Sequence, residues 1–337
     1  MSHNKVFGQE VKALTPYSIQ LEPTYGCDRR CWFCGLLGLP KELQPPNKFM
    51  ETALVHKVFR ELNEWLPKIR VEYDLGGEPT LNPSFLDIVE AVREEMPTAS
   101  QCLQTNTENW TERGMEYIPA MFEAGLNILV LNAYKAGSYE EWKVRLEEWE
   151  FPYVDYYHDN PKGLSYYRYV DPRKHRQIFL LEDLGTVNQK GQVGKRTEKK
   201  LNNQGGNANQ KVMAAKVGKD YSKLPLKHQC SKVFRELILD YDGLVTICCL
   251  DWLDDLVMGD AKTQSIREIW ESERFWAVRQ LLFRKRRDLL TPCNGCDDPT
   301  TRVGLLKDPG IALGDQELLD FVNSSQKFKG QQRIELT

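Results

Sequence analysis

From about residue 18 onward, short apolar runs alternate with longer stretches in which apolar residues recur every three or four positions. Runs of five or six residues bounded by polar or turn-forming residues read as strands, and the 3.6-residue period reads as amphipathic helix. The runs Ser18 to Glu22, Val71 to Leu75, Ala99 to Gln104, Ile128 to Asn132, Tyr153 to Tyr157 and Gln177 to Leu181 predict six strands. Between them Phe85, Ile88, Val89 and Val92 follow the helical period, as do Trp142, Leu146 and Trp149, and Ser84 and Ser138 stand where they would cap those helices. Strands and helices that alternate in this way predict parallel β/α units, hence an α/β fold and a partial (β/α)6 TIM-like barrel. A second pattern begins near Phe234. Phe234 to Leu250 reads as a hairpin turning at Asp242-Gly243. A helix opened by the capping box Ser265-Ile-Arg-Glu268 follows, with Ile266, Ile269, Trp270, Val278 and Leu281 on its buried face. These elements predict a small C-terminal α+β domain.

Composition divides the chain further. From residue 188 to 228 glycine, asparagine and lysine dominate, with ten Lys or Arg between Lys190 and Lys227 against Glu198 and Asp220. This segment reads as a solvated linker or as a basic flap over a phosphate-bearing substrate. The expected organisation is a core over 1–187, the linker or flap over 188–228, a small domain over 229–300 and a tail over 301–337. A net charge of -3 with 41% hydrophobic and 28% charged residues is ordinary for a soluble globular protein, and gives no global sign of nucleic acid or membrane binding. The N-terminal residues lack an apolar stretch, and no later run approaches membrane-spanning length, so a cytoplasmic protein is expected. Nine cysteines are an odd number, and in a reducing compartment they predict metal ligation rather than disulfides. Three lie by residue 34, Cys102 stands alone as a small buried apolar residue, and Cys230, Cys248, Cys249, Cys293 and Cys296 form a second group, which fits two metal centres.

The first group, Cys27, Cys31 and Cys34, has the spacing CxxxCxxC. Three thiolates on one short loop can hold an iron-sulfur cluster and leave one iron open. Structural zinc is the alternative, but it wants a fourth ligand and none occurs before His56. The loop resembles the signature of the radical S-adenosylmethionine (SAM) superfamily. That resemblance implies a 4Fe-4S cluster whose open iron binds SAM, and reductive cleavage of SAM to a 5'-deoxyadenosyl radical that abstracts hydrogen from substrate. Gly76-Gly77-Glu78-Pro79, at the C-terminal end of the second strand, resembles the motif that binds the SAM methionine group. Phe33 matches the residue that packs SAM's adenine, and Thr105, Asn106 and Asn132 end strands whose polar side chains reach SAM in relatives. Many relatives have Ser followed by Asp or Asn where this chain has Asn132-Ala133-Tyr134.

Cys230, Cys248, Cys293 and Cys296 make a candidate four-thiolate set. Successive strand side chains point to opposite faces, so only one of Cys248 and Cys249 is expected to be a ligand. The run from Cys230 through Gly243 to Cys249, Met258-Gly-Asp260, Ile266 to Trp270 and Cys293-Asn-Gly-Cys296 resembles the auxiliary-cluster region of SPASM and twitch radical SAM enzymes. With no cysteine beyond Cys296, the resemblance implies the shorter twitch type and one auxiliary 4Fe-4S cluster. Asn203-Gln-Gly-Gly-Asn207 resembles an Asn-Arg-Gly-Gly element of relatives, with Gln204 in place of arginine. A zinc ribbon or a purely structural cluster remains open for this site.

A fully ligated second cluster suits the role of electron acceptor, so the implied reaction is an oxidation, such as dehydrogenation of an alcohol. Candidate bases are Tyr156-Tyr-His-Asp159, Arg168 and Glu182, and Tyr153, Tyr166, Tyr167 and Tyr169 could line a substrate pocket or pack the core. A small-molecule oxidoreductase leads. A peptide-modifying maturase, a nucleotide- or nucleic-acid-modifying enzyme and a non-catalytic iron-sulfur or zinc module are the alternatives. An electron donor such as a flavodoxin or ferredoxin is implied.

Overall fold

A computed structural model describes residues 3–38, 47–108, 110, 114–134, 137–149, 154–155, 166–171, 175–182, 201–299 and 308–323. Six parallel strands organise them: β1 (Ser18–Leu21), β2 (Arg70–Tyr73), β3 (Ser100–Thr105), β4 (Ile128–Ala133), β5 (Arg176–Glu182) and β6 (Glu236–Leu239), in the spatial order β6-β1-β2-β3-β4-β5. Register pairs Ile19 with Val71, Val71 with Gln101, Leu103 with Leu129 and Leu131 with Leu180. Antiparallel strands extend both edges. Leu244–Thr246 and Val257–Asp260 lie beyond β6, and Tyr166–Asp171 and Val154–Asp155 lie beyond β5. The sheet has two ends and is an open, mostly parallel α/β sheet rather than a closed barrel.

Two strand expectations change. Within Tyr153 to Tyr157 only Val154–Asp155 is a described strand, and it pairs antiparallel with Tyr169 and Arg168 at the sheet edge. The parallel neighbour of β4 is β5 itself, so the sixth parallel strand comes from the C-terminal part of the chain. There, Glu236 to Leu239 run alongside Ser18 to Leu21. An apolar run specifies burial, but it does not specify the partner. The following hairpin has a three-residue loop, because Asp240 pairs with Leu244 and Gly243, at φ +87°, takes the left-handed position. Asp240 holds that loop by accepting the amide hydrogens of Asp242 (2.9 Å) and Leu244 (2.7 Å).

Alternation along the strands gives the sheet two unlike faces. Ile19, Leu21, Val71, Tyr73, Leu103, Leu129, Leu131, Ile178, Leu180, Leu237 and Leu239 are buried in one continuous core. Against it pack Leu54, Val55, Val58, Phe59 and Leu62 of helix Thr52–Trp65 and Phe85, Ile88, Val89 and Val92 of helix Phe85–Glu95. The intervening residues of the strands give the inner face Gln20, Glu72, Asp74 and Gln104, joined as Gln20 Nε2 to Glu72 (3.1 Å) and Gln104 Nε2 to Asp74 (3.1 Å).

The helix caps are partly different from those expected. Ser84 makes no side-chain cap bond, and its own amide is held by Asn82 Oδ1 (2.8 Å). Ser138 lies inside its helix, with Gly137 at the cap. The capping box at Ser265 forms reciprocally with Glu268, but the helix it opens stops at Glu271 and a second, capped by Ser272, runs over Glu273–Phe283. No described helix is long and apolar enough to cross a membrane.

Candidate active site

The cysteine loop leaves the C-terminal end of β1, and backbone contact fixes it against the end of β2. Glu78 N donates to Gly26 O (2.9 Å), and a Cβ on Gly77 would collide with the carbonyl oxygens of Thr24 and Gly26. Gly76, at φ +65°, would likewise drive a Cβ into the Glu22 carboxylate. The two glycines are therefore required for the approach of one protein segment to another, as well as for any approach to a ligand. Glu78 is 2% exposed, and its carboxylate is engaged internally. Oε1 accepts from Thr80 N (3.2 Å), Thr80 Oγ1 (2.6 Å) and Thr105 Oγ1 (2.8 Å), and Oε2 accepts from Asn106 N (2.8 Å). Burial pushes its pKa up, and these hydrogen bonds pull the other way. What Gly76 to Glu78 present outward is chiefly backbone.

Asn106 continues the network to the cysteines. Its Nδ2 donates to Asp28 Oδ1 (2.9 Å) and Cys27 Sγ (3.3 Å). Asn132 Nδ2 donates to Thr105 O (3.2 Å), tying the ends of β3 and β4. Phe33 packs edge-on to Trp32 and, at 6.0 Å between centroids, against Tyr134 beyond β4. The sequence-predicted positions Phe33, Gly76, Gly77, Glu78, Thr105, Asn106 and Asn132 thus surround one end of the sheet beside Cys27, Cys31 and Cys34. Arg29 and Glu108 escaped the sequence reading. They form an ion pair across this end, and Arg29 also reaches Tyr134 O (3.0 Å) and lies over its ring. A charged pair separated by 79 residues leaves no local signature.

The second group converges as well. Cys230, Cys248, Cys293 and Cys296 line a single cavity walled by Val233, Ile247, Leu250 and Leu282, and Cys249 is absent from it. The strand carrying the hairpin ends at Thr246, so Cys248 and Cys249 sit in the turn beyond, where strand alternation no longer applies. Cys249 Sγ instead accepts from Lys232 Nζ (3.2 Å). Asn203 to Asn207 wrap this cavity. Asn203 Nδ2 donates to Gly295 O (2.7 Å), Asn203 N donates to Asp297 (2.7 Å), and a Cβ on Gly205 would meet Leu250 O. Leu201, Ala208 and Met213 of the same segment pack on Trp32 and Phe33, so residues 201–228 bridge the two cysteine groups.

Both sets suit iron-sulfur clusters. Cys27, Cys248 and Cys296 each accept a backbone N–H from the residue two positions later, at 3.4 Å, which favours a thiolate. Yet burial pushes the Cys27 thiol up to about 12 and the Cys296 thiol up to about 11, and Cys293 rises through burial and the neighbouring Cys230 and Cys296. Buried sulfurs that repel one another as anions, while receiving amide hydrogens, are arranged for a cationic metal core. The four cysteines of the second group line one cavity, as the ligands of a polyatomic cluster would.

Between the two groups lies a second cavity, lined by Leu75 and Gly76 on one side and by Cys248, Cys249 and Trp252 on the other, with Glu22, Asp240 and Asp254 in its wall. Trp252 spans the gap, packing where a Cβ of Gly35 would lie, next to Cys34. Asp74 stands below, and burial, with help from Glu72 and Cys249, pushes its pKa up to about 7. A wider groove at the opposite strand ends, lined by Arg93, Asn127 and Arg176, has those arginines engaged with backbone carbonyls and contains none of the cysteines. Of the candidate bases, Tyr156 to Asp159 lie outside the described residues. Arg168 and Glu182 are described only as strand positions, opposite Phe179 and Ala133.

Comparison with known proteins agrees with this geometry. The radical SAM superfamily model matches residues 21–136, and the SPASM iron-sulfur cluster-binding domain model matches residues 230–297. An S-adenosyl-L-methionine-dependent 2-deoxy-scyllo-inosamine dehydrogenase of Niallia circulans is 20% identical over 287 residues, covering 85% of this chain and 94% of the relative. A GTP 3',8-cyclase of Pectobacterium atrosepticum is 31% identical over 91 residues, 27% of each chain. Among solved structures, BtrN in complex with AdoMet and 2-DOIA superposes with a TM-score of 0.60 at 18% identity, over 85% of this chain and 96% of that one. BtrN in an open conformation gives 0.54 at 18% identity, over 84% and 93%. With its cysteine loop and its four-cysteine cavity each inside a matched region, the chain belongs to the radical SAM superfamily, whose members use S-adenosylmethionine and a 4Fe-4S cluster, and carries a SPASM iron-sulfur cluster-binding domain.

Proposed function

We propose that this enzyme dehydrogenates a small hydroxyl-bearing molecule, held between the two cysteine groups. Cys27, Cys31 and Cys34 would hold the SAM-binding cluster. Cys230, Cys248, Cys293 and Cys296 would hold one auxiliary cluster. Bound SAM supplies the radical that removes a hydrogen atom from the substrate carbon. The chain's own residues position the reactants and keep water out. Backbone at Gly76 to Glu78, with Asn106, Asn132 and Phe33, would seat SAM, and Trp252 closes the space above Gly35.

The observation that carries the reading is the position of this cavity, which in the structure has a volume of only about 20 Å³, so that a substrate would have to widen it. Leu75 and Gly76 on one wall and Cys248 and Cys249 on the other would set the substrate between the radical source and an electron acceptor. Its carboxylates and the polar inner face of the sheet favour a substrate rich in hydroxyl or amino groups. The reading agrees with the alcohol chemistry named for the Niallia circulans relative. The low-potential electron would come from a flavodoxin or ferredoxin in the cytoplasm.

The test is anaerobic turnover of reconstituted protein with SAM and dithionite, offering cyclitols and aminocyclitols, 2-deoxy-scyllo-inosamine first. Equal amounts of ketone and 5'-deoxyadenosine are expected, with deuterium from the oxidised carbon recovered in the latter. If SAM is cleaved but no alcohol yields a ketone, while a peptide or nucleotide is modified, the small-molecule reading falls.

A further inference from the structure

Two cations share the auxiliary cavity with the four cysteines: Lys232 and Arg287. Arg287 is 2% exposed and held rigidly. Its Nε donates to His228 O (3.1 Å), Nη2 to Gln229 O (3.3 Å) and Nη1 to Asp298 O (2.9 Å). The first two acceptors immediately precede Cys230, and the third lies two residues beyond Cys296. The guanidinium is therefore clamped between the two stretches of chain that carry these cysteines. Lys232, two residues after Cys230, is nearly buried and pairs with Glu236 at 3.3 Å while donating to Cys249. Asp298 lines the same cavity, and Asp251 acts on Cys293. The remaining wall is apolar. Burying a charge in such surroundings is costly unless a counter-charge is close.

A four-thiolate iron-sulfur cluster is already anionic and gains a further unit of negative charge on accepting an electron. A fixed cation nearby stabilises the reduced form more than the oxidised one, which raises the reduction potential. We propose that Arg287, assisted by Lys232, is a positioning residue whose charge tunes the auxiliary centre to accept one electron. The inference rests on Cys230, Cys248, Cys293 and Cys296 being the ligands. In turnover that electron is the one left on the substrate carbon after a hydrogen atom has gone to the 5'-deoxyadenosyl radical and the hydroxyl proton to a base, so the products are a ketone, 5'-deoxyadenosine and a singly reduced cluster.

The test is a redox titration of reconstituted full-length protein followed by electron paramagnetic resonance, with and without SAM. The signal that SAM leaves unchanged belongs to the auxiliary centre. Arg287→Gln should make that centre at least tenfold harder to reduce, a shift of about 59 mV for one electron, and Arg287→Lys, which keeps the charge but not the fork of hydrogen bonds, should restore most of it. An unmoved midpoint in Arg287→Gln, or equal shifts in both variants, would overturn the proposal. If Arg287→Gln takes up no second cluster, Lys232→Gln decides the matter: a shift to lower potential supports the proposal, and an unchanged midpoint refutes it. No substrate enters this titration, so failure to find an alcohol substrate leaves it intact.

Discussion

Replacing Glu78 by alanine separates two roles that the Gly-Gly-Glu-Pro motif combines. The carboxylate accepts four hydrogen bonds, two from hydroxyls and two from the backbone amides of Thr80 and Asn106. The hydroxyls can rotate and each keeps one partner, since Thr80 Oγ1 also accepts from Trp110 Nε1 (3.2 Å) and Thr105 Oγ1 from Thr107 N (3.1 Å). The two amides cannot turn away. Each buried N–H left without a partner costs about 1–3 kcal/mol, and removing a carboxylate whose ionisation burial disfavours returns part of that sum. We expect Glu78→Ala to destabilise the metal-free protein by roughly 2–4 kcal/mol, seen as a lower denaturant midpoint. Glu78→Gln keeps one acceptor oxygen but sets an NH2 group against one of the four donors, so it should cost about half as much. Variant protein that does fold and load its cluster should bind SAM with near wild-type affinity, measured by calorimetry. An unchanged denaturation curve with lost SAM binding would refute the reasoning, because the carboxylate would then serve the ligand rather than the ends of β2 and β3.

Three other outcomes are expected. Cys248→Ser should lose about four irons per chain after anaerobic reconstitution, whereas Cys249→Ser should lose none, and iron and sulfide analysis decides between them. Gly77→Ala places a methyl group against the carbonyl oxygens of Thr24 and Gly26, so overpacking of about 1–3 kcal/mol should appear as a lower melting temperature, and the displaced cysteine loop should load less iron. Asp74, with a pKa raised to about 7 from an ordinary 3.8, binds its proton more tightly folded than unfolded. It therefore favours the folded state at low pH, and that contribution is lost as pH rises from about 4 to about 7. Asp74→Asn should flatten this slope, and its melting temperature relative to wild type should be higher at pH 8 than at pH 5; the opposite trend would place Asp74 beside an unrecognised cation.

Local chemistry was legible where the information is local. CxxxCxxC, the glycines at 76 and 77 and the Ser265 capping box each state in a few residues what the backbone must do, and β1 to β4 follow from runs of apolar residues in sequence. The fifth expected strand misled because a short run of strand-forming residues does not say whether its neighbour runs parallel or antiparallel, and Val154–Asp155 pairs antiparallel. Ser84 and Ser138 misled because a cap depends on the φ and ψ of the residue, which neighbouring Asn82 and Gly137 set. Which of Cys248 and Cys249 enters the cavity depended on the strand stopping at Thr246, an event that no spacing records.

The sequence by itself determined two groups of closely spaced thiol ligands, because ligand type and spacing are properties of a short chain segment, and the resemblance they carry implied iron, sulfur and a sulfonium cofactor. Only the tertiary structure decided what that chemistry faces. The pairing of β6 with β1 brings residues more than 200 positions apart side by side, sets Cys248 across one cavity from Gly76, places residues 201–228 as a bridge between the two cysteine groups, and closes Arg287 around the second of them. Such contacts arise from the common burial of distant apolar faces, and the polar groups between those faces acquire their roles only when the faces meet.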